Sequence, residues 1–237
     1  MQRNKIIIGL GLLPLLLSSC ITTLNPLVTS KNIAKYDEVV GKWQTRDYNI
    51  TIERYFGSNL EKSYRETPGS KQTAAELIQK MSADQKKIFL NTYLVRFNKN
   101  GILHLMGLKF ARINNDLYAQ VEGGGFALRV PGDDISPSDT ADDVLLDIFP
   151  NAEPAYTIAK VTLDKNVLQL RFVNTDFVET LLNKGAIAIK YEEDDLFDTK
   201  VITASSEELE KFLSKYGKDD RLYSAENTIL LQRKLHY

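Results

Sequence analysis

Apolar and polar positions alternate with a period of two over much of the chain, which predicts strands. Residues 49–55 (NITIERY) show this alternation, and so does most of the stretch 92–123. Asn100-Gly101 lies between two apolar runs and is a strong hairpin signal, and Asn114-Asn115-Asp116 predicts a second turn. The run Gly123-Gly124-Gly125 breaks the pattern before it resumes. We therefore predict a β-meander in this part of the chain.

Later stretches repeat the strand pattern. Residues 155–173 predict a hairpin with its turn at Asp164-Lys165-Asn166, and further strands are expected over 186–194 and 227–235. Strands joined by hairpins pair in antiparallel fashion. We predict an α+β fold, built on a mainly antiparallel curved sheet or an open β-barrel with several short helices.

Helical periodicity is confined to short segments. Residues 73–91 have helical character, with a capping box at Ser82 and Gln85. An acidic helix is predicted within 133–154, capped at Ser138 or Asp139, and another up to Gly185, capped at Thr175 or Asp176. The clearest helix starts at the capping box Ser205–Glu208 and ends at Gly217, and its apolar face consists of Leu209, Phe212, Leu213 and Tyr216.

The first twenty residues have the pattern of a secretory signal. Arg3 and Lys5 precede an uncharged apolar run over 6–17, which is too short to span a bilayer as a helix. Leu17-Ser18-Ser19-Cys20 resembles a bacterial lipobox, the pattern read by the lipoprotein signal peptidase. The resemblance implies cleavage between Ser19 and Cys20 and a diacylglyceryl thioether on Cys20. Alternatives are an ordinary cleaved signal or an uncleaved anchor.

These signals predict the domain organisation and the location. We expect a signal peptide over 1–19, a lipidated cysteine and polar tether over 20–34, and one globular β-rich domain over 35–237. Ile21 stands where many inner-membrane lipoproteins have aspartate, which favours the outer membrane, facing the periplasm. The membrane is therefore an expected partner, reached through the lipid on Cys20, and an envelope protein is a second one.

Composition and charge exclude some functions. The net charge is −1 and no strongly basic stretch occurs, which argues against nucleic acid as a partner. Cys20 is the only cysteine, so the folded part has no thiol for a disulfide, a nucleophile or a metal.

Catalytic and metal-binding motifs are missing from the sequence. His104 lies within a predicted strand and His236 is penultimate, and neither belongs to an HExxH, GxSxG or P-loop motif. Acidic clusters occur at 133–143 and 192–198 without EF-hand spacing, so solvated loops are favoured over calcium sites. The run 123–125 is interpreted as a bulge or turn rather than an anion cradle. We predict no cofactor and no enzymatic activity.

Two further resemblances concern the globular part. Gly41-Lys42-Trp43 resembles the G-x-W motif of lipocalins and other calycins, which implies a barrel closed at one end by Trp43 and holding a small apolar ligand. The helical segment 73–90 departs from the uninterrupted strand order of that family, and a core anchor is the other role for Trp43. Residues 203–216 are similar to a helix of uncharacterised envelope lipoproteins.

Three functions follow, in order of preference. The first is a non-enzymatic outer-membrane lipoprotein whose domain binds a partner protein or envelope component. The second is a calycin-like carrier of a small ligand or lipid. The third is a carboxylate-based hydrolase acting on an envelope polymer, which would need two facing carboxyl groups roughly 5–9.5 Å apart.

Overall fold

The computed structural model describes residues 22–56, 74–99, 102–129, 155–194 and 199–234. Within these ranges the chain forms eleven strands and four α-helices. The strands are β1 Thr22–Thr23, β2 Gly41–Gln44, β3 Asn49–Arg54, β4 Tyr93–Lys99, β5 Ile102–Ile113, β6 Asp116–Arg129, β7 Ala155–Asp164, β8 Val167–Val173, β9 Tyr191–Asp194, β10 Thr199–Ile202 and β11 Tyr223–Arg233. The helices are α1 Ala74–Lys80, α2 Ala83–Leu90, α3 Thr175–Asn183 and α4 Ser206–Tyr216.

Eight of these strands close into an antiparallel barrel. Strands β2 to β8 pair in chain order, and β11 lies between β8 and β2 and completes the ring. The remaining strands β1, β10 and β9 extend the sheet from the edge of β7, and β1 with β10 is the parallel pair. The predicted α+β fold with a mainly antiparallel sheet is confirmed, and of its two predicted forms the barrel is the one observed.

Local turn chemistry explains the hairpins. The β5–β6 turn follows Ile113, and its first residue, Asn114, has a positive φ of 54°. The β7–β8 turn similarly has Lys165 at a φ of 51°. A positive φ matches the right-handed twist of the flanking strands. Both turns lie where the sequence predicted them, and the paired residues Lys99 and Ile102 flank the predicted Asn100-Gly101 turn.

The barrel interior is one of two apolar cores. Alternate residues of the barrel strands point inward and pack together, and the most deeply buried large side chains are those of Trp43, Tyr93, Phe110 and Leu168. Strand alternation puts the other residues on the outer wall. Small interior side chains such as Ala119 and Ala159 sit between the large ones, so this part of the barrel is filled.

The second core lies between the outer wall and the helices. Ile158 and Val173 of the wall pack against Val178 of α3 and against Leu209 and Leu213 of α4. The capping boxes predicted at Ser82 and Ser205 are present. A small apolar cavity of about 20 Å³ remains in this layer, which is space for about one water molecule.

Two predicted boundaries differ from the structure. The N-cap of α3 is Asn174, whose side chain accepts a hydrogen bond from the Asp176 N–H, so the predicted caps Thr175 and Asp176 lie inside the helix. The strand predicted from residue 186 begins only at Tyr191. Gly185, at a φ of 64°, ends α3 as predicted. Ile187 and Ile189, which follow it, pack in the second core with residues of the helices, so the strand begins only after them.

The polar tether predicted over 20–34 is wrong for its described part. Thr22–Thr23 is already a strand, and Leu27 and Val28 are buried in the second core, between the outer wall and the helices. The Gln120 side chain accepts a hydrogen bond from the Val28 N–H at 2.8 Å, and Asn32 donates to the Leu27 carbonyl at 3.0 Å. Polar residues here satisfy buried backbone groups, which is why a polar composition did not indicate a solvated linker.

Candidate functional site at one end of the barrel

One end of the barrel is sealed around Trp43. The Trp43 side chain is fully buried, and its indole N–H donates to the Val39 carbonyl at 2.7 Å. The Arg233 guanidinium stacks on the ring at 4.3 Å from its centroid and donates to the carbonyls of Val40 and Glu38. The last barrel strand therefore locks the first one at this end.

Gly41 permits this packing. Its φ of 145° lies in the region that favours glycine, and an added Cβ would come within 3.1 Å of the Arg233 guanidinium. The glycine of the G-x-W motif thus has a physical role beside the tryptophan.

A second polar cluster completes the seal. Arg54 donates to the Asp37 carboxylate through Nε at 2.8 Å, and Tyr93 donates to the same carboxylate at 3.1 Å. The Tyr36 N–H in turn donates to the Tyr93 hydroxyl at 2.8 Å. The Arg54 hydrogen bonds hold the pKa of Asp37 below its usual range, and burial raises the pKa of Tyr93 to about 12. Asp37 is therefore a charged structural anchor.

The opposite end has a different character. Ile50, Val95 and Met106 point into the barrel but remain only partly buried. Phe97 is two residues from Val95 on β4, and His104 is two residues from Met106 on β5, both toward the β4–β5 turn. Strand alternation therefore places Phe97 and His104 on the same inner face as Val95 and Met106. These five side chains, Ile50, Val95, Phe97, His104 and Met106, are named the mouth residues below.

Aromatic contacts organise the mouth residues. The rings of Phe97 and His104 stack at 4.9 Å with an interplanar angle of 8°, and Tyr48 meets Phe97 edge-on at 5.8 Å. His104 is thus a half-buried strand histidine, and it belongs to no metal-binding group among the described residues. The mouth offers flat aromatic and flexible apolar surfaces rather than charge.

The outer wall carries paired charges. Glu122 pairs with Lys109, Asp116 pairs with Lys160 at 3.0 Å, and Glu53 pairs with Arg96 at 3.1 Å. These three carboxylates therefore belong to structural ion pairs on the outer wall.

Other predicted site residues divide into two groups. The strand β6 continues through Gly123-Gly124-Gly125, with a shift of register between the pairs Leu105–Phe126 and Gly107–Glu122, so the glycine run is a bulge in the ladder. Ser19, Cys20, His236, the acidic segment 133–143 and its predicted helix, and residues 195–198 lie outside the described residues. The partner of Trp43, Arg233, was missed because no local pattern connects positions so far apart in the chain.

Comparisons with known protein families, with curated proteins and with solved structures found no match. None of the described helices has the length and hydropathy needed to cross a membrane. The fold itself belongs to the class of small up-and-down antiparallel barrels, sealed at one end by side chains.

Proposed function

We propose that this protein is a lipid-anchored barrel of the bacterial envelope that holds a small apolar ligand between its mouth residues. The lipobox supports the anchor, and the barrel with its G-x-W motif supports the carrier. The observation that carries the proposal is the contrast between the two barrel ends. One is sealed by fully buried side chains, while inward apolar side chains at the other remain partly exposed.

The filled interior limits the size of the ligand. Strands rise about 3.3 Å per residue and tilt about 40° in such barrels, so successive inward residues lie roughly 5 Å apart along the axis. Below the level of Val95 and Met106 lie the buried Tyr93 and Leu108, which pair with each other. The mouth residues form the two layers above, Val95 with Met106 and Phe97 with His104, and a ligand held between these side chains reaches at most roughly 10 Å into the barrel. The ligand class is a small aromatic compound or the terminal part of an acyl chain.

Native mass spectrometry tests for a natural ligand. A soluble form spanning Ile21 to Tyr237 is expressed in the periplasm, and a co-purified mass that is lost on denaturation is expected. Its identity then gives the chemical class directly.

Dye binding tests the location of the site. A neutral phenylnaphthylamine dye should bind saturably, and Phe97→Ser should weaken binding about tenfold, equivalent to about 1.4 kcal/mol. Leu230→Ser is the matched control, because Leu230 is an apolar residue that is 54% exposed on β11. Equal dye affinity in both variants, or no saturable binding in the parent protein, would contradict the carrier function.

A second candidate is binding of an envelope protein, which the exposed apolar part of β11 favours. Ile229 and Leu230 are 40% and 54% exposed. Strand β2 pairs with β11 only at Gln232 and Arg233, so Leu230 lies beyond that ladder. A photo-crosslinking residue at position 230 should capture one discrete partner in intact cells, and the same residue at exposed Arg46 should not. Identical crosslink patterns from both positions would remove this candidate.

A further inference from the structure

The fold begins almost immediately after the proposed lipid anchor. Thr22 is already a strand residue, paired with Thr157 of β7 on one side and Val201 of β10 on the other. Thr23 is fully buried, and the Leu24 N–H donates to the Ile202 carbonyl at 2.9 Å. Only Ile21 separates this fixed strand from Cys20.

This spacing sets a short reach for the anchor. Two residues of extended chain span at most about 7 Å between the Cα atoms of Cys20 and Thr22. The headgroup layer on each side of a bilayer is roughly 5–8 Å thick. A lipid attached at Cys20 therefore brings Thr22 to the outer surface of the headgroups.

We infer that the sheet extension formed by β1, β10 and β9 lies directly against the headgroups of the bilayer that holds the Cys20 lipid. The inference rests on the proposed lipid anchor. It goes further than the anchor because a tethered domain would tumble freely, whereas this domain has one flank fixed to the membrane.

The position of Thr22 on the barrel selects the flank. Thr157, its partner, lies near the start of β7, and the turn at Lys165 is eight residues further along that hairpin. At roughly 2.5 Å per residue along the axis this is about 20 Å, well beyond the reach of the anchor. The Arg233 N–H donates to the Asn166 carbonyl at 2.8 Å, so this turn lies at the sealed end. The sealed end therefore does not rest on the bilayer.

Two labelling positions test the orientation. Glu192 is exposed and pairs with Val201, which also pairs with Thr22, so it lies two strand spacings, or about 10 Å, from Thr22. Lys42 is exposed on β2, at the sealed end and across the barrel. Once Cys20 is acylated, the variants Glu192→Cys and Lys42→Cys each contain one free thiol for a fluorescent label.

The full-length lipidated variants are reconstituted in vesicles of zwitterionic lipid that contain a headgroup-linked quencher. We expect quenching at position 192 to exceed that at position 42 at least threefold. Inserting fifteen Gly/Ser residues between Ile21 and Thr22 should remove most of the difference. Equal quenching in the parent, stronger quenching at position 42, or a difference that survives the spacer would overturn the inference.

The mass of the purified protein separates the two possible failures. An unacylated Cys20 would contradict the anchor, and the inference would fall with it. A normally acylated protein with equal quenching would overturn the flank contact alone and leave the anchor intact.

Discussion

Replacing Gly217 with alanine should destabilise the protein through a clash that is specific to this fold. Gly217 is the C-cap of α4, and it lies against Tyr118 on the outer wall of the barrel. An added Cβ would lie 2.0 Å from the Tyr118 hydroxyl oxygen and 2.4 Å from the Leu213 carbonyl oxygen. Tyr118 is fully buried, so its ring has no free space into which it can move.

The size of the effect follows from two opposing contributions. Overpacking a buried site costs about 1–3 kcal/mol. The φ of Gly217 is −64°, which alanine adopts without strain. Because alanine has less conformational freedom than glycine in the unfolded chain, the substitution also stabilises the folded state by about 0.4–1 kcal/mol. We expect a net loss of about 1–2 kcal/mol and a fall in Tm of roughly 2–8 °C for a protein of this size.

Urea unfolding of the soluble form, followed by circular dichroism, measures this loss. The matched variant Gly217→Ala with Tyr118→Phe removes the clashing oxygen and should recover part of the stability. The Tyr118 hydroxyl lies beside the Tyr223 hydroxyl, but it has no hydrogen bond of good geometry among the described residues. Removing this oxygen in Tyr118→Phe therefore breaks no such hydrogen bond. A Gly217→Ala protein as stable as the parent, or more stable, would refute the described packing of α4 on the barrel.

Three further predictions concern the seal and the helix caps. Arg233→Gln should lower stability by about 2 kcal/mol, because it removes a stacked cation and its hydrogen bonds to carbonyl groups, and red-shift the emission of the only tryptophan, Trp43. Ser205→Ala should cost about 1 kcal/mol in urea unfolding, whereas Ser82→Ala should cost less, because α2 has no buried residue. The folded-state pKa of Asp37 lies below its unfolded value of about 3.9, so its contribution is present above that pH and lost as the pH falls through the folded pKa. Asp37→Asn should therefore flatten the acid side of a plot of stability against pH, and an unchanged acid limb would contradict this.

The sequence predicted those parts of the fold that depend on neighbouring residues. The turns at Asn114 and Lys165, the two capping boxes and the end of α4 at Gly217 were all found from local chemistry. Each of these features is determined by a few consecutive side chains acting on the adjacent backbone. The antiparallel character of the sheet followed from the same turns.

Features that depend on distant residues were not predictable in this way. Closure of the barrel requires β2 to pair with β11, and a single sequence contains no signal for that partnership. The burial of Leu27 and Val28 depends on a wall made mostly by β5 to β8. The mouth residues appear in sequence as ordinary strand positions. Only the closed ring shows that Phe97 and His104 face the same interior as Trp43.

Ring closure by β11 has a consequence for the order in which this protein folds. The edge of β2 that faces away from β3 pairs with residues Gln232 and Arg233 of β11. The barrel therefore cannot close until almost the whole described chain has been synthesised. Contacts that join such distant segments carry a large loop-closure entropy and slow the folding of β-rich proteins. The same delay leaves β2 and β8 as unpaired edges in the partly folded chain, where they are exposed to aggregation until β11 fills the gap between them.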